Sequence, residues 1–176
     1  MAESVSLVLP NRNNERVLDL TLERLATHTS YPDFELVVVD NASRDGALAR
    51  LPADPRVRLL LNPDNRGFAR ACNQGAELAR GSALLFLNPD CVLPDAVLLT
   101  LLSTLRSDPG IGALGVQLLD SDGQPQAASY RDDPLPGRAL RQAIGLGRAP
   151  ARDAPGDPLD PALLQVDAIS GALMLV

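Results

Sequence analysis

The chain has 176 residues, 45% of them hydrophobic, which is enough to bury the core of an ordinary domain and too apolar for global disorder. A formal net charge of −6 argues against a protein whose main partner is nucleic acid. Its two cysteines, Cys72 and Cys91, cannot build a disulfide framework or a cysteine-type zinc site, and they fit a reducing compartment.

The N-terminal Met1-Ala2-Glu3-Ser4 lacks the basic start of a signal peptide, and no apolar stretch reaches the roughly 18 residues that span a bilayer. Val5 to Leu9 is a short continuous apolar run, which predicts a strand covered on both faces. Asn13 or Asn14 can cap a helix that carries Leu18, Leu22 and Leu25 on one stripe. Phe34 to Val39 predicts a second buried strand, ending on Asp40, and Val57 to Leu61 a third. Phe68 to Ala79 turns helical, with Cys72, Ala76 and Ala79 on one face and Gly81 as the stop. Ala83 to Leu87 predicts a fourth strand that delivers the polar break Asn88-Pro89-Asp90. A helix can begin at Pro94, with Leu98, Leu101, Leu102 and Leu105 as its buried stripe. Ile111 to Leu118 reads as a fifth strand and Ser121-Asp122-Gly123 as a turn. Between Arg131 and Pro161 no period is sustained, which predicts a long loop with at most a short helix near Arg138 to Ile144. The last apolar run, Ser170 to Val176, reads as a core strand, so 1–176 is expected to be a single domain that is incomplete at its C-terminus.

Strands alternating with helices at this spacing imply parallel βαβ units with right-handed crossovers. Ligands of such sheets bind beyond the carboxyl ends of the strands. That rule selects the loops Asn11 to Asn14, Asp40 to Asp45, Asn62 to Gly67 and Asn88 to Asp90, and predicts that Asp40 and Asp90 share one cleft. No Gly-x-Gly-x-x-Gly follows the first strand and no P-loop occurs. The lone histidine, His28, reads as a charge partner at a helix end. Asp40 can accept from the N–H edge of a pyrimidine, or close an Asx turn through Asn41-Ala42-Ser43. Asn88 with Asp90 suits Mg²⁺ or Mn²⁺ completed by diphosphate oxygens, or makes a plain Asn-Pro turn. At the helix opening Asn65 to Asn73, Gly67 permits close backbone approach, the helix start favours an anion and Arg66 can pair with a phosphate. The bland reading of the same stretch is a surface turn with Asn73 exposed.

Four segments taken together carry a resemblance: Val5-Ser6-Leu7-Val8-Leu9-Pro10-Asn11-Arg12-Asn13, Tyr31 to Gly46 around Val39-Asp40-Asn41, Asn62 to Gly75, and Leu87-Asn88-Pro89-Asp90. In this order and spacing the chain resembles the family 2 glycosyltransferases, and within them the rhamnosyltransferase-like branch of bacterial surface-polysaccharide enzymes. The resemblance implies an α/β, Rossmann-like GT-A fold with a mostly parallel central sheet flanked by helices. It implies an enzyme that transfers a sugar, rhamnose being favoured, from dTDP-rhamnose or a UDP-sugar to a glycan or lipid-linked acceptor with inversion. Pro10 and the run Asn11, Arg12 and Asn13 would then line the base pocket, and Asp40 would accept from the pyrimidine. Arg66, Gly67 and Asn73 would support the nucleoside and phosphates. Asn88 and Asp90 stand in the place of the family's Asp-x-Asp motif, with Asp90 as the contact to Mg²⁺ or Mn²⁺. Ser170-Gly171-Ala172 would lie near the acceptor.

The family's general base is expected beyond Val176, so no catalytic base is assigned to this chain. A nucleotide-sugar-binding module without catalysis is therefore the alternative reading. Pro10 to Glu15 contains no glycine, which disfavours a nucleotidyltransferase, and four polar loops on one sheet edge make a purely structural domain less economical. The expected location is cytoplasmic, with peripheral association at the inner face of the membrane.

Overall fold

The computed structural model describes residues 4–15, 18, 33–51, 53–126, 129–131, 163 and 165–176. Leu22, Leu25, His28 and nearly all of the Arg131 to Pro161 segment lie outside the described residues. The chain divides into two compact units, 1–114 with 171–176, and 115–170.

The first unit is built on strands β1 (Val5–Asn11), β2 (Phe34–Asn41), β3 (Val57–Asn62), β4 (Ala83–Leu87) and, from the end of the chain, β8 (Leu173–Leu175), with helices α1 (Phe68–Leu78) and α2 (Asp95–Ser107). The sheet order is β3-β2-β1-β4-β8-β5, where β5 is the two-residue Leu114–Gly115. β1 pairs in parallel with both β2 and β4, and β2 with β3. The sheet is thus mostly parallel and flanked by helices, as the alternation of elements predicts. β8 departs from that prediction: it runs antiparallel to β4, Leu85 facing Leu175.

The central strands are apolar throughout because both faces are covered. Val5, Leu7, Val8 and Leu9 of β1 and Val37, Val38 and Val39 of β2 are fully buried. One face receives α1: Cys72 packs with Val8 and Phe86, and Ala71 with Val37 and Val39. Gly75 lets this helix lie close to β1, since a Cβ there would run into Val8 Cγ1. α1 ends at Leu78, before the expected Gly81; that glycine instead serves a close approach, as a Cβ would stand 2.6 Å from the Ser6 nitrogen. In α2, Leu98, Leu101 and Leu102 form the buried stripe and Pro94 stands at the N-cap.

Two strand expectations need correction. β3 is not buried on both faces: Leu59 and Leu61 are 42% and 58% exposed, because β3 is the outermost strand of the order. The run Ile111 to Leu118 yields only Leu114–Gly115 as strand. Gly112 and Gly115 interrupt that run, and glycine carries little strand preference and no side chain to pack.

In the second unit, β6 (Tyr130–Arg131) and β7 (Ala168–Ile169) pair antiparallel. The predicted turn at Ser121-Asp122-Gly123 is present, closed by Asp120 Oδ1, which accepts from the nitrogens of Asp122 (2.9 Å) and Gln124 (2.8 Å).

Candidate functional site

Strand order determines where a crevice opens. The chain steps outward from β1 to β2 to β3, then α1 carries it back to β4 on the other side of β1. The direction of winding therefore reverses between β1 and β4, and a crevice forms beyond their carboxyl ends. A cavity of about 240 Å³ lies there, lined by Pro10, Asn11, Arg12 and Asn14 after β1, Asn41 after β2, Asn65 and Phe68 before and in α1, and Asn88, Pro89 and Asp90 after β4.

Asn11 stands directly across from Asp40 in the parallel register. Its Nδ2 donates to Asp40 Oδ1 (2.9 Å) and to Ser43 Oγ (3.2 Å). Asp40 also accepts from the Ser43 hydroxyl (2.5 Å) and the Ser43 nitrogen (2.9 Å). Asp40 is 2% exposed, so these donors are what make a buried carboxylate tolerable. Because the amide nitrogen of Asn11 is turned to the carboxylate, its carbonyl oxygen takes the opposite direction. Asn11 Oδ1 is buried and has no hydrogen-bond partner among the described residues. A buried acceptor without a donor is costly, and the residue that carries it, Asn11, lines the cavity.

The surrounding loops are tied to one another. Asn13, at φ 52°, donates its nitrogen to Ser43 Oγ (2.9 Å) and accepts from the Arg44 nitrogen (2.9 Å), locking the β1 loop to the β2 loop. Asn41 Oδ1 accepts from Asn62 Nδ2 (2.9 Å) and the Arg66 nitrogen (3.4 Å), while its Nδ2 donates to the Gly67 carbonyl (3.3 Å). Asn62 and Gln74 exchange two amide bonds of 2.9 Å. Gly67 sits at φ 80°, which L side chains rarely adopt, and no side chain caps the helix it opens.

At the β4 tip, the Asn88 nitrogen donates to the Ala172 carbonyl (2.8 Å) and its own carbonyl accepts from the Cys91 nitrogen (3.1 Å). Asp90 is exposed, with the Cys91 sulfur 3.9 Å from its Oδ1. Burial pushes the Cys91 thiol up to about 11, and the neighbouring Asp90 charge adds to the effect, so it is a neutral thiol at physiological pH.

Of the residues read from the sequence, Pro10, Asn11, Asn88 and Asp90 line the cavity. Asp40 stands behind Asn11 and Asn13 holds the loops together. Arg66 pairs with Asp64 at 3.2 Å, Gly67 starts α1, and Asn73 is exposed on that helix, outside the lining. Arg12, which the resemblance puts with the base pocket, also lines the cavity. Asn14, Asn41 and Asn65 of the wall lie in loops that the strand-end rule selects but carried no individual role, and neither did Phe68 in the wall or Asn62 and Gln74 behind it. The adjacency of Asn41 to Asp40, at a strand's carboxyl end, is the signal that points to Asn41.

The family model "Glycosyl transferase family 2" matches residues 6–153. The O-antigen biosynthesis protein RfbC of Myxococcus xanthus is 32% identical over 127 residues, 70% of this chain and 10% of its own. Among solved structures, the mannosyltransferase PcManGT of Pyrobaculum calidifontis, in complex with GDP-Man and Mn²⁺, superposes with a TM-score of 0.61 at 25% identity, covering 68% of this chain and 36% of its own. S. aureus TarS 1-349 in complex with UDP-GlcNAc superposes at 0.59 and 22% identity over 73% of this chain and 38% of its own, a likeness of fold. The chain spans 14%, 10% and 31% of the length of three curated relatives it matches.

Proposed function

The chain belongs to glycosyl transferase family 2, and from that premise we propose that its cavity is the donor site of an enzyme moving a sugar from a nucleoside diphosphate to an acceptor hydroxyl. The observation that carries this reading is the unsatisfied, buried Oδ1 of Asn11, a residue that lines the same cavity as Asp90. A ring N–H, as in uracil or thymine, is the donor that oxygen lacks. Asp40 acts behind it, holding the Asn11 amide so that the oxygen faces the ligand. Arg12, exposed in the same wall, supplies positive charge for the diphosphate. The proposed donor is dTDP-rhamnose or a UDP-sugar, and the acceptor a glycan or a lipid-linked glycan. The resemblance to RfbC supports polysaccharide assembly as the setting.

The donor set was tested against a divalent cation. Among the described residues no group of three His, Cys, Asp or Glu converges. One exposed carboxylate beside a carboxamide fits a hard cation shared with diphosphate oxygens, with Asp90 and Asn88 as the protein's contribution. Mn²⁺ in the PcManGT complex supports this assignment. Such an ion would neutralise charge developing on the leaving diphosphate.

In our reading the transfer inverts the anomeric carbon, a base activating the acceptor hydroxyl. The alternative, donor binding without transfer, is favoured by the wall itself, where Asp90 is the one carboxylate among the described lining residues. Among the described residues no helix is long and apolar enough to cross a membrane, and we propose a cytoplasmic enzyme working at the membrane's inner face.

Thermal shift with UDP, dTDP and GDP, each with and without Mn²⁺ or Mg²⁺, tests the reading. A pyrimidine nucleotide is expected to raise the melting temperature, further with the cation. No shift with any of them would overturn the donor-site assignment, and transfer assays on the same preparation separate enzyme from binding module.

A further inference from the structure

Phe68 is the aromatic residue in the cavity wall, and it is 47% exposed although it opens the helix that packs on the core. Its place is set from two sides. Behind it, Gly67 holds the φ of 80° that starts α1, and the Gly67 carbonyl is anchored by Asn41 Nδ2 at 3.3 Å. Beside it lies Gly171, where a Cβ would stand 3.0 Å from Phe68 Cε1 and 3.4 Å from Cζ. The edge of the ring thus occupies the room a side chain at 171 would need. The next residue of the same turn, Ala172, accepts the Asn88 nitrogen at 2.8 Å. One turn therefore sets both the ring and the β4 tip that carries Asp90.

We propose that Phe68, seated on Gly171, is the apolar platform for the sugar unit of the donor, and that the pair determines which sugars fit. This rests on the donor-site reading. If the diphosphate lies at Asp90, the sugar leaves the cavity beside the Phe68 ring, away from Asn11 and the base. An aromatic ring offers its surface to the C–H side of a pyranose, a contact that nucleotide alone does not make. Gly171 is a positioning residue: a Cβ there would make the ring give by a few tenths of an ångström.

The test compares UDP, dTDP and GDP with UDP-glucose, UDP-N-acetylglucosamine, dTDP-rhamnose and GDP-mannose by calorimetry on the full chain. Phe68→Ala is expected to weaken the preferred nucleotide sugar about tenfold while the matching nucleotide changes less than about twofold. Gly171→Ala is expected to do the same, and the double variant to be no worse than Phe68→Ala alone, because the displaced ring is then gone. Phe68→Leu, which keeps apolar bulk without the ring, controls for folding and should lie between. Equal losses for nucleotide and nucleotide sugar, or additive effects of the two substitutions, would overturn the platform while leaving the donor site standing. Wild-type protein that binds none of the seven ligands would remove the donor site itself.

Discussion

Asn11 and Asp40 face each other across adjacent parallel strands, and the 2.9 Å bond from amide to carboxylate fixes which way the Asn11 amide is turned. A buried carboxylate thus sets the orientation of a neutral amide. The sequence reads Asp40 either as an acceptor for a pyrimidine or as the anchor of an Asx turn; in the fold its oxygens accept from Asn11 Nδ2 and from the Ser43 nitrogen and hydroxyl.

Asn11→Ala removes both the unsatisfied oxygen and one donor to Asp40. Stability is expected to change by less than about 1 kcal/mol, since an orphan acceptor is removed with the bond. Nucleotide affinity is expected to fall at least about tenfold. Urea denaturation and calorimetry with UDP or dTDP on one preparation check both halves.

Asp90→Ala should abolish the gain in nucleotide affinity that Mn²⁺ or Mg²⁺ confers, leaving metal-free binding within about twofold. Titration of nucleotide with and without the cation, variant beside wild type, reads this directly. An unchanged metal increment would move the cation elsewhere.

Glu35 gives the fold a pH dependence at the opposite end of the sheet from the cavity. Burial pushes its carboxyl up, but bonds from the Ser6 hydroxyl and the Arg80 nitrogen and the nearby Arg58 outweigh that and hold it below 4.5. A carboxylate with a depressed folded-state value stabilises above its unfolded value, and the contribution is lost as pH falls through the folded one. Glu35→Gln is expected to cost about 1–3 kcal/mol near neutral pH. The gap to wild type should close as pH drops below 4.5, which denaturant midpoints measured across acid pH would show.

Gly75→Ala sets helix propensity against packing. Alanine favours the helix by about 1 kcal/mol, yet its methyl would collide with Val8. Net destabilisation of about 1–3 kcal/mol is expected, as for other overpacked cores. Adding Val8→Ala should recover part of it, and unfolding midpoints of the single and double variants decide.

Much of this was legible in the chain itself. The apolar runs at Val5, Phe34 and Ala83 name central strands because both of their faces are covered, and Pro94 with the leucines that follow marks α2 because a helix needs one dry stripe. The loops after those strands carry the polar residues of the cavity, which follows from the rule that α/β sheets bind at their carboxyl ends. Less was legible where a run's neighbours matter: Val57 to Leu61 has the same apolar content as a central strand but lies at the edge, and only pairing reveals that.

The sequence by itself determined the alternation of strand and helix, the polar tips and the family, since each is written in local periodicity and in motif spacing. Tertiary structure alone decided the switch in strand order between β1 and β4, the antiparallel return of β8, and the hydrogen bond that orients Asn11 on Asp40. Those depend on residues 29 apart, and in the case of Phe68 and Gly171 on segments from distant parts of the chain, brought side by side. Contacts across such separations are made by packing and hydrogen bonding in three dimensions, and no local pattern of residues encodes them.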